Sequence, residues 1–344
     1  MKKLAICLCI ALSLATFCRL SAQDRSHIPV TKVKISKDII LYKTGETAAY
    51  PNMIAVKTTE GTVVFDALQY PDVAQRVREM IKKDFGGKVA CLVNTHGWYD
   101  HTGGDEVFKD VPIIGHSKLK TEMPDFYKQM NNPQAGKYFE DMISKSESLR
   151  STYPGDPKEI DEAIESTRNF ISDLGKGAMK AIIPDTLIDD QYTLNMGDKT
   201  FKMYHNTPGY SESDIIIYIP EEKALIIGDV FNKNRLPWLN PATNLESWEK
   251  LFQPYLSEGP DVKYFIGTHG DVMTIDEVRE QFNYLNKLNN EVKRLKGEGK
   301  TMEQANQELS LDKFPYLSKC NPYFYGTAIP MHSRNIMIFW RKAK

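Results

Sequence analysis

The chain has 344 residues, 44 lysines and arginines against 45 acids, and 41% hydrophobic residues. Its surface charge is therefore close to balanced. No basic run or arginine-rich stripe supplies the electrostatic footprint of nucleic-acid binding, which excludes DNA and RNA as partners.

Met1, Lys2 and Lys3 precede an apolar run from Leu4 to Ala15, the layout of a secretory signal peptide and too short to span a bilayer as a helix. Cleavage is expected after Ala22, giving a leader over 1–22 and one mature domain over 23–344. Bulky Phe17 argues against a lipid anchor on Cys18, so export to the periplasm or beyond without a stable membrane anchor is expected. Of five cysteines, Cys7, Cys9 and Cys18 fall in the leader. Cys91 and Cys320 remain, and a disulfide between them is possible only if geometry allows it.

From Val33 to Asp66 short strands are predicted: Val33 and Ile35 alternate with Lys34 and Ser36, and apolar runs follow at Ile39–Tyr42, Met53–Val56 and Thr62–Phe65. Val73, Val77, Met80 and Ile81 have helical spacing over Pro71–Lys83, and Val89–Val93 reads as a buried strand. The polar, lysine- and glutamate-rich segment 117–182 is predicted to be a helical insertion, broken at Pro154-Gly155-Asp156-Pro157. Strands return between Thr186 and Ile219, at Ala224–Ile227 and at Val262–Ile266. Asp276 to about Leu309 is helical in pattern, and the tail over 310–344 is dense in aromatics, including Phe324 and Tyr325.

The most informative text follows the Val89–Val93 strand: Asn94-Thr95-His96-Gly97-Trp98-Tyr99-Asp100-His101-Thr102-Gly103-Gly104. It resembles the metallo-β-lactamase superfamily signature H-x-H-x-D-H, with tryptophan at the second histidine position. Asn206-Thr207-Pro208-Gly209-Tyr210-Ser211 is similar to the family's P-G-H-[ST] turn, Ile227-Gly228-Asp229 to its G-D strand end, and Thr268-His269-Gly270 to its G-H-G loop, all in the family's order. The resemblance implies an α/β metallo-β-lactamase fold: a four-layer αββα sandwich of two mixed sheets flanked by helices, here carrying the helical insertion.

In the family, three histidines hold one metal, an aspartate and two histidines hold a second, and another aspartate bridges them. Carried over, the three-histidine site keeps His96 but has Trp98 and Tyr210 at its other positions. Indole offers no lone pair to a metal, and phenol is not among the usual zinc ligands. Asp100, His101 and His269, with Asp229 at the bridging position, remain as a set for one metal. One zinc ion is the expected cofactor, with iron an alternative because tyrosine ligation of iron is known.

The resemblance thus implies an exported hydrolase using a single metal-bound water on a small-molecule substrate, with Asp100, His96 and Tyr210 as catalytic candidates. The alternative is a non-catalytic ligand-binding relative in which Trp98 and Tyr210 simply fill the vacated volume. Asp66 is similar to a family residue that braces the metal loop. His27, His116, His205 and His332 are weaker candidates, with His205 read as a wall or core residue rather than a substitute ligand. Substrate and oligomeric state are not legible.

Overall fold

A computed structural model describes residues 25–130, 133–175, 180–206, 209–257, 261–316 and 320–343. The expected leader lies outside them. The first sheet has seven strands in sequence order: β1 (Val30–Lys34), β2 (Ile39–Thr44), β3 (Asn52–Thr58), β4 (Gly61–Phe65), β5 (Val89–Val93), β6 (Ile113–His116) and β7 (Thr186–Ile188). Pairings from β1 to β4 are antiparallel and those from β4 to β7 parallel. The second sheet contains β8 (Gln191–Met196), β9 (Lys199–His205), β10 (Ile215–Ile219), β11 (Ala224–Gly228) and β12 (Tyr264–Gly267), in the order β12-β11-β10-β9-β8. Only its β11–β12 pair is parallel. The first strand begins before Val33 and stops at Lys34 because Ile35 and Ser36 turn: the Ser36 hydroxyl accepts from the Asp38 and Ile39 amides.

Side chains alternate across a strand, so each strand feeds two cores. In β4, Val63 and Phe65 point between the sheets while Val64 points outward. In β11, Ile226 points inward, and Leu225 and Ile227 outward. The outer face of the first sheet is covered by α1 (Pro71–Phe85), whose Val73, Val77 and Ile81 pack on Val64 and Leu92 in one cluster. The outer face of the second is covered by later helices described below. Two mixed sheets flanked by helices form the expected four layers.

After the short α2 (Tyr99–Thr102), three helices connect β6 to β7: α3 (Leu119–Met130), α4 (Pro133–Leu149) and α5 (Pro157–Gly175). Pro157 starts α5, as the sequence break suggests. The second sheet is packed by α6 (Leu245–Leu256), α7 (Ile275–Gly297), α8 (Met302–Glu308) and α9 (Met331–Lys342). The sequence reading gave α9 no helix; its Met331, Asn335, Ile336 and Phe339 are buried at three- and four-residue spacing. Cys91 lies between the sheets and Cys320 in the helical cluster, and no bridge joins them. Among the described residues, no helix is long and apolar enough to cross a membrane.

The insertion is fastened by a buried ion pair between Glu159 of α5 and Arg235, which follows β11; their side chains are 3% and 15% exposed. Glu159 also accepts from Tyr153 Oη at 2.8 Å and from Asn321 Nδ2 at 3.0 Å. Breaking a buried pair leaves one charge uncompensated and costs about 3–5 kcal/mol. Glu159→Ala is therefore expected to lower the urea midpoint by a corresponding amount, while Glu159→Gln combined with Arg235→Met recovers most of it.

Candidate metal centre

Parallel strands bring their carboxyl ends to one edge, and the candidate residues lie on loops leaving that edge: Asp66 after β4, His96 after β5, Asp229 after β11 and His269 after β12. Asp100 and His101 are held in α2. Gly228 turns the chain at φ 55°, a region glycine enters without a Cβ penalty. Gly104 lets the α2 segment press against the backbone after β4, since a Cβ there would lie 2.1 Å from the Ala67 carbonyl oxygen.

Asp66 is fully buried and accepts three hydrogen bonds, from the Thr95 amide at 2.7 Å, the Thr95 hydroxyl at 2.8 Å and His101 Nδ1 at 3.0 Å. The Thr95 hydroxyl spends its proton on Asp66, so toward His96 Nδ1, 3.0 Å away, it can only accept. His269 Nδ1 donates to the Ala48 carbonyl at 2.9 Å. All three rings are thus fixed with Nδ1 as donor and Nε2 facing inward. Asp66 meets His101 on the side away from Asp229, which makes it a brace rather than a ligand, although Asp66, His96 and His101 also cluster closely enough to count as metal-type donors.

Asp229 is aimed by the same logic. Its Oδ1 accepts from Thr268 Oγ1 at 2.6 Å and from Asn232 Nδ2 at 3.3 Å. Its Oδ2 faces the three imidazoles, at 3.4 Å from His101 Nε2, 3.7 Å from His269 Nε2 and 3.9 Å from His96 Nε2. Asp100 Oδ2 lies 3.3 Å from His101 Nε2 and 3.4 Å from His269 Nε2. Asp229 Oδ2 and the Nε2 atoms of His96, His101 and His269 are buried without a hydrogen-bond partner.

These orphaned atoms test whether a metal fits. Zinc with donors at about 2.0–2.1 Å separates tetrahedral neighbours by about 3.3–3.4 Å. The distances from Asp100 and Asp229 to His101 and His269 match that edge or exceed it slightly, and Asp100, His101 and His269 group as candidate ligands. The residues fit one ion.

The same groups are strongly coupled in charge. Burial disfavours charge on Asp100, yet His101 and then His269 hold its pKa well below the carboxylate range. Burial likewise opposes charge on Asp229, and His269 and His101 outweigh it downward. Burial would depress His101, but Asp100 and Asp229 raise it well above the imidazole range. His96 is lowered to about 4 by burial and then by the charge on His101.

Where the three-histidine site would be completed, aromatic rings stand instead. Tyr210 is 2% exposed, its ring centre 4.8 Å from Trp98 and 5.4 Å from His96. Trp238 closes the cluster at 6.2 Å from Trp98, capped by the Arg334 guanidinium 3.4 Å above its ring. Burial, and then Asp229, push the Tyr210 phenol well above its ordinary value, so it is a proton donor.

Of the weaker histidines, His205 stacks on His116 at 3.6 Å and donates from Nε2 to the Glu212 carbonyl, away from the donor cluster. His27 pairs with Glu165, and His332 contacts Tyr284 and the Leu309 carbonyl. Asn206, Gly209, Tyr210 and Ser211 of the expected turn are described; Thr207 and Pro208 lie outside the described residues.

Tyr325 was not singled out from the sequence. Its ring stacks on His269 at 4.4 Å, and its hydroxyl accepts from Asn232 Nδ2 at 2.8 Å, beside Asp229. Only the aromatic density of the tail signalled it. The tail and the insertion also wall a cavity of about 360 Å³ that opens onto Asp100 and His269.

Beside Tyr210, buried Asp214 accepts from the Ser211 amide and hydroxyl at 2.8 and 2.7 Å, and burial raises its pKa to about 7. A carboxyl raised on folding stabilises the native state fully below its unfolded pKa of about 4. That stability falls as pH rises toward about 7, by up to about 1.4 kcal/mol per unit. Urea unfolding at pH 5 and pH 8 should therefore show a larger stability loss in the parent than in Asp214→Asn.

Comparison with known proteins bears on the family and the fold. Residues 47–269 match the family described as the metallo-beta-lactamase superfamily. A chicken (Gallus gallus) protein named acyl-coenzyme A thioesterase MBLAC2 is 24% identical over 213 residues, 60% of this chain and 66% of that protein. The structure of the stereoselective inverting sec-alkylsulfatase Pisa1 from Pseudomonas sp. aligns with TM-score 0.64 and 16% identity, over 91% of this chain and 50% of that one. A metallo-beta-lactamase from Pontibacter korlensis aligns with TM-score 0.49 and 17% identity, over 74% of this chain and 99% of its own. The chain thus spans half of the alkylsulfatase and just under two thirds of the thioesterase. With its fold, its ordered motifs and a family match over most of its length, the chain belongs to the metallo-beta-lactamase superfamily.

Proposed function

We propose that this chain is a metal-dependent hydrolase that works with one metal, held by Asp100, His101, Asp229 and His269. The observation that carries the reading is the convergence of two imidazole Nε2 atoms and two carboxylate oxygens, each carboxylate 3.3–3.7 Å from each imidazole, with three of the four buried and otherwise unpartnered. Neutral imidazole with carboxylate suits zinc, and iron accepts the same donors. When bound, the ion would lower the pKa of a coordinated water toward neutrality and polarise the bond under attack.

The protein's own groups supply the rest. Asp100 faces the cavity, so one carboxylate oxygen can hold a metal while the other orients the attacking water and accepts its proton. The His96 Nε2 faces Asp229 Oδ2 at 3.9 Å, behind the donors rather than on the cavity wall. The Tyr210 phenol stays protonated and donates to the developing oxyanion or leaving group. The named activities of the thioesterase and the alkylsulfatase, both hydrolytic, support a hydrolase. The leader at residues 1–22 supports export to the periplasm or beyond.

Elemental analysis of the purified protein tests this. About one metal per chain is expected, lost in both Asp100→Ala and His269→Ala. Asp66→Ala, which removes the His101 brace, should weaken metal affinity about 10- to 100-fold in competition with a chelator. No metal after reconstitution would overturn the reading and leave a ligand-binding relative.

A further inference from the structure

The cavity beside the donor cluster has a character that the metal chemistry does not require. At about 360 Å³ it falls at the small end of the roughly 300–1,000 Å³ typical of small-molecule sites. Its apolar walls come from separate stretches of chain. Phe126 and Met130 belong to α3, Tyr138, Phe139 and Met142 to α4, and Phe170 to α5. Opposite them stand Trp98 and Trp238, and the tail contributes Phe324, Tyr325 and Ile329. The two methionines give the apolar wall an adaptable surface. Polar groups are few: Gln69, Ser166, Thr167 and Thr327, besides Asp100 and His269 at the metal end.

No lysine or arginine lines the cavity among the described residues, and Asp100 is its only acidic side chain. The cations nearby are committed elsewhere. Arg235 is paired with Glu159, and Lys233 with Glu277 at 3.1 Å. Arg334 lies over Trp238 and donates to the Leu239 carbonyl at 2.6 Å. Away from the metal end, an anionic group against these walls would be desolvated without a compensating cation, whereas an uncharged apolar group loses only its hydration shell.

We propose that the cavity is the seat of the substrate's acyl group, and that the substrate is an uncharged carboxylic ester or thioester with a compact apolar acyl chain. This rests on the hydrolase reading for the bond that is cut, but the apolar seat stands on its own lining. Cleavage adds water across the acyl–oxygen or acyl–sulfur bond: the hydroxyl joins the acyl carbon, and the alcohol or thiol departs with a proton. No other reactant is needed. Substrates whose charged group would have to lie along the apolar walls, away from the metal end, are disfavoured because those walls offer no cation.

Two measurements test the proposal together. Reconstituted protein is assayed with 4-nitrophenyl acetate, butyrate and hexanoate, and with 4-nitrophenyl sulfate. Binding of the uncharged fluorophore N-phenyl-1-naphthylamine is followed separately in metal-free protein. The expected result is a rise in kcat/KM of about fourfold for each methylene that enters the cavity, with the sulfate ester poorest and the fluorophore bound at one site. Met142→Arg, with metal content and thermal midpoint as in the parent, should flatten the chain-length series and abolish fluorophore binding. Hydrolysis of all three esters at equal rates, preference for the sulfate ester, or absence of fluorophore binding in folded protein would each overturn the acyl seat. Fluorophore binding lost in Met142→Arg, with no ester cleaved by protein that holds one metal, would leave an apolar site and overturn the ester or thioester substrate.

Discussion

The carboxylate of Asp66 accepts three hydrogen bonds at the end of β4 in a setting with no water to replace them. Through Thr95 it fixes the loop after β5, and through His101 it fixes α2. Its influence extends one step further, because the Thr95 proton it takes decides which nitrogen of His96 carries hydrogen. A single acid thus sets the direction of two imidazoles. Thr268, Asn232 and the Ala48 carbonyl perform the matching task on the other sheet for Asp229 and His269. The two halves of the donor cluster belong to different sheets, so their distances are as fixed as the packing between those sheets.

Trp98 and Tyr210 shape the surroundings of the donor cluster. Rings occupy the volume, exclude water, and leave His96 buried with an unpartnered Nε2 directed at Asp229. The remaining donors therefore sit in a lower dielectric than they would beside a second hydrated ion, which strengthens every interaction they make. The same rings continue through Trp238 and Phe324 into the cavity wall, so the altered half of the centre and the apolar chamber form one surface.

Much of this was legible in the sequence because it is local. Short apolar runs located Val63 to Phe65 and Val89 to Val93, and motif order singled out Asp100, His101, Asp229 and His269, which the fold brings within a few ångströms of one another. What lay beyond reach depended on distant partners. Tyr325 acquires its place by stacking on His269 and meeting Asn232, both far earlier in the chain; nothing in its neighbours announces either contact. The helix at Met331–Lys342 is buried by packing on α7 and α8, and its aromatic content alone gave no period. The insertion read as polar because its outward faces are polar, while the few residues that wall the cavity are scattered over three helices.

The division between sheets that hold the donors and excursions that build the chamber has an evolutionary consequence. Substitutions at the insertion residues that line the chamber, such as Phe126, Phe139 and Met142, can reshape it without touching the groups that bond Asp66 or Asp229. Two relatives of such a chain could share one donor cluster and differ entirely in the shape of guest the chamber admits.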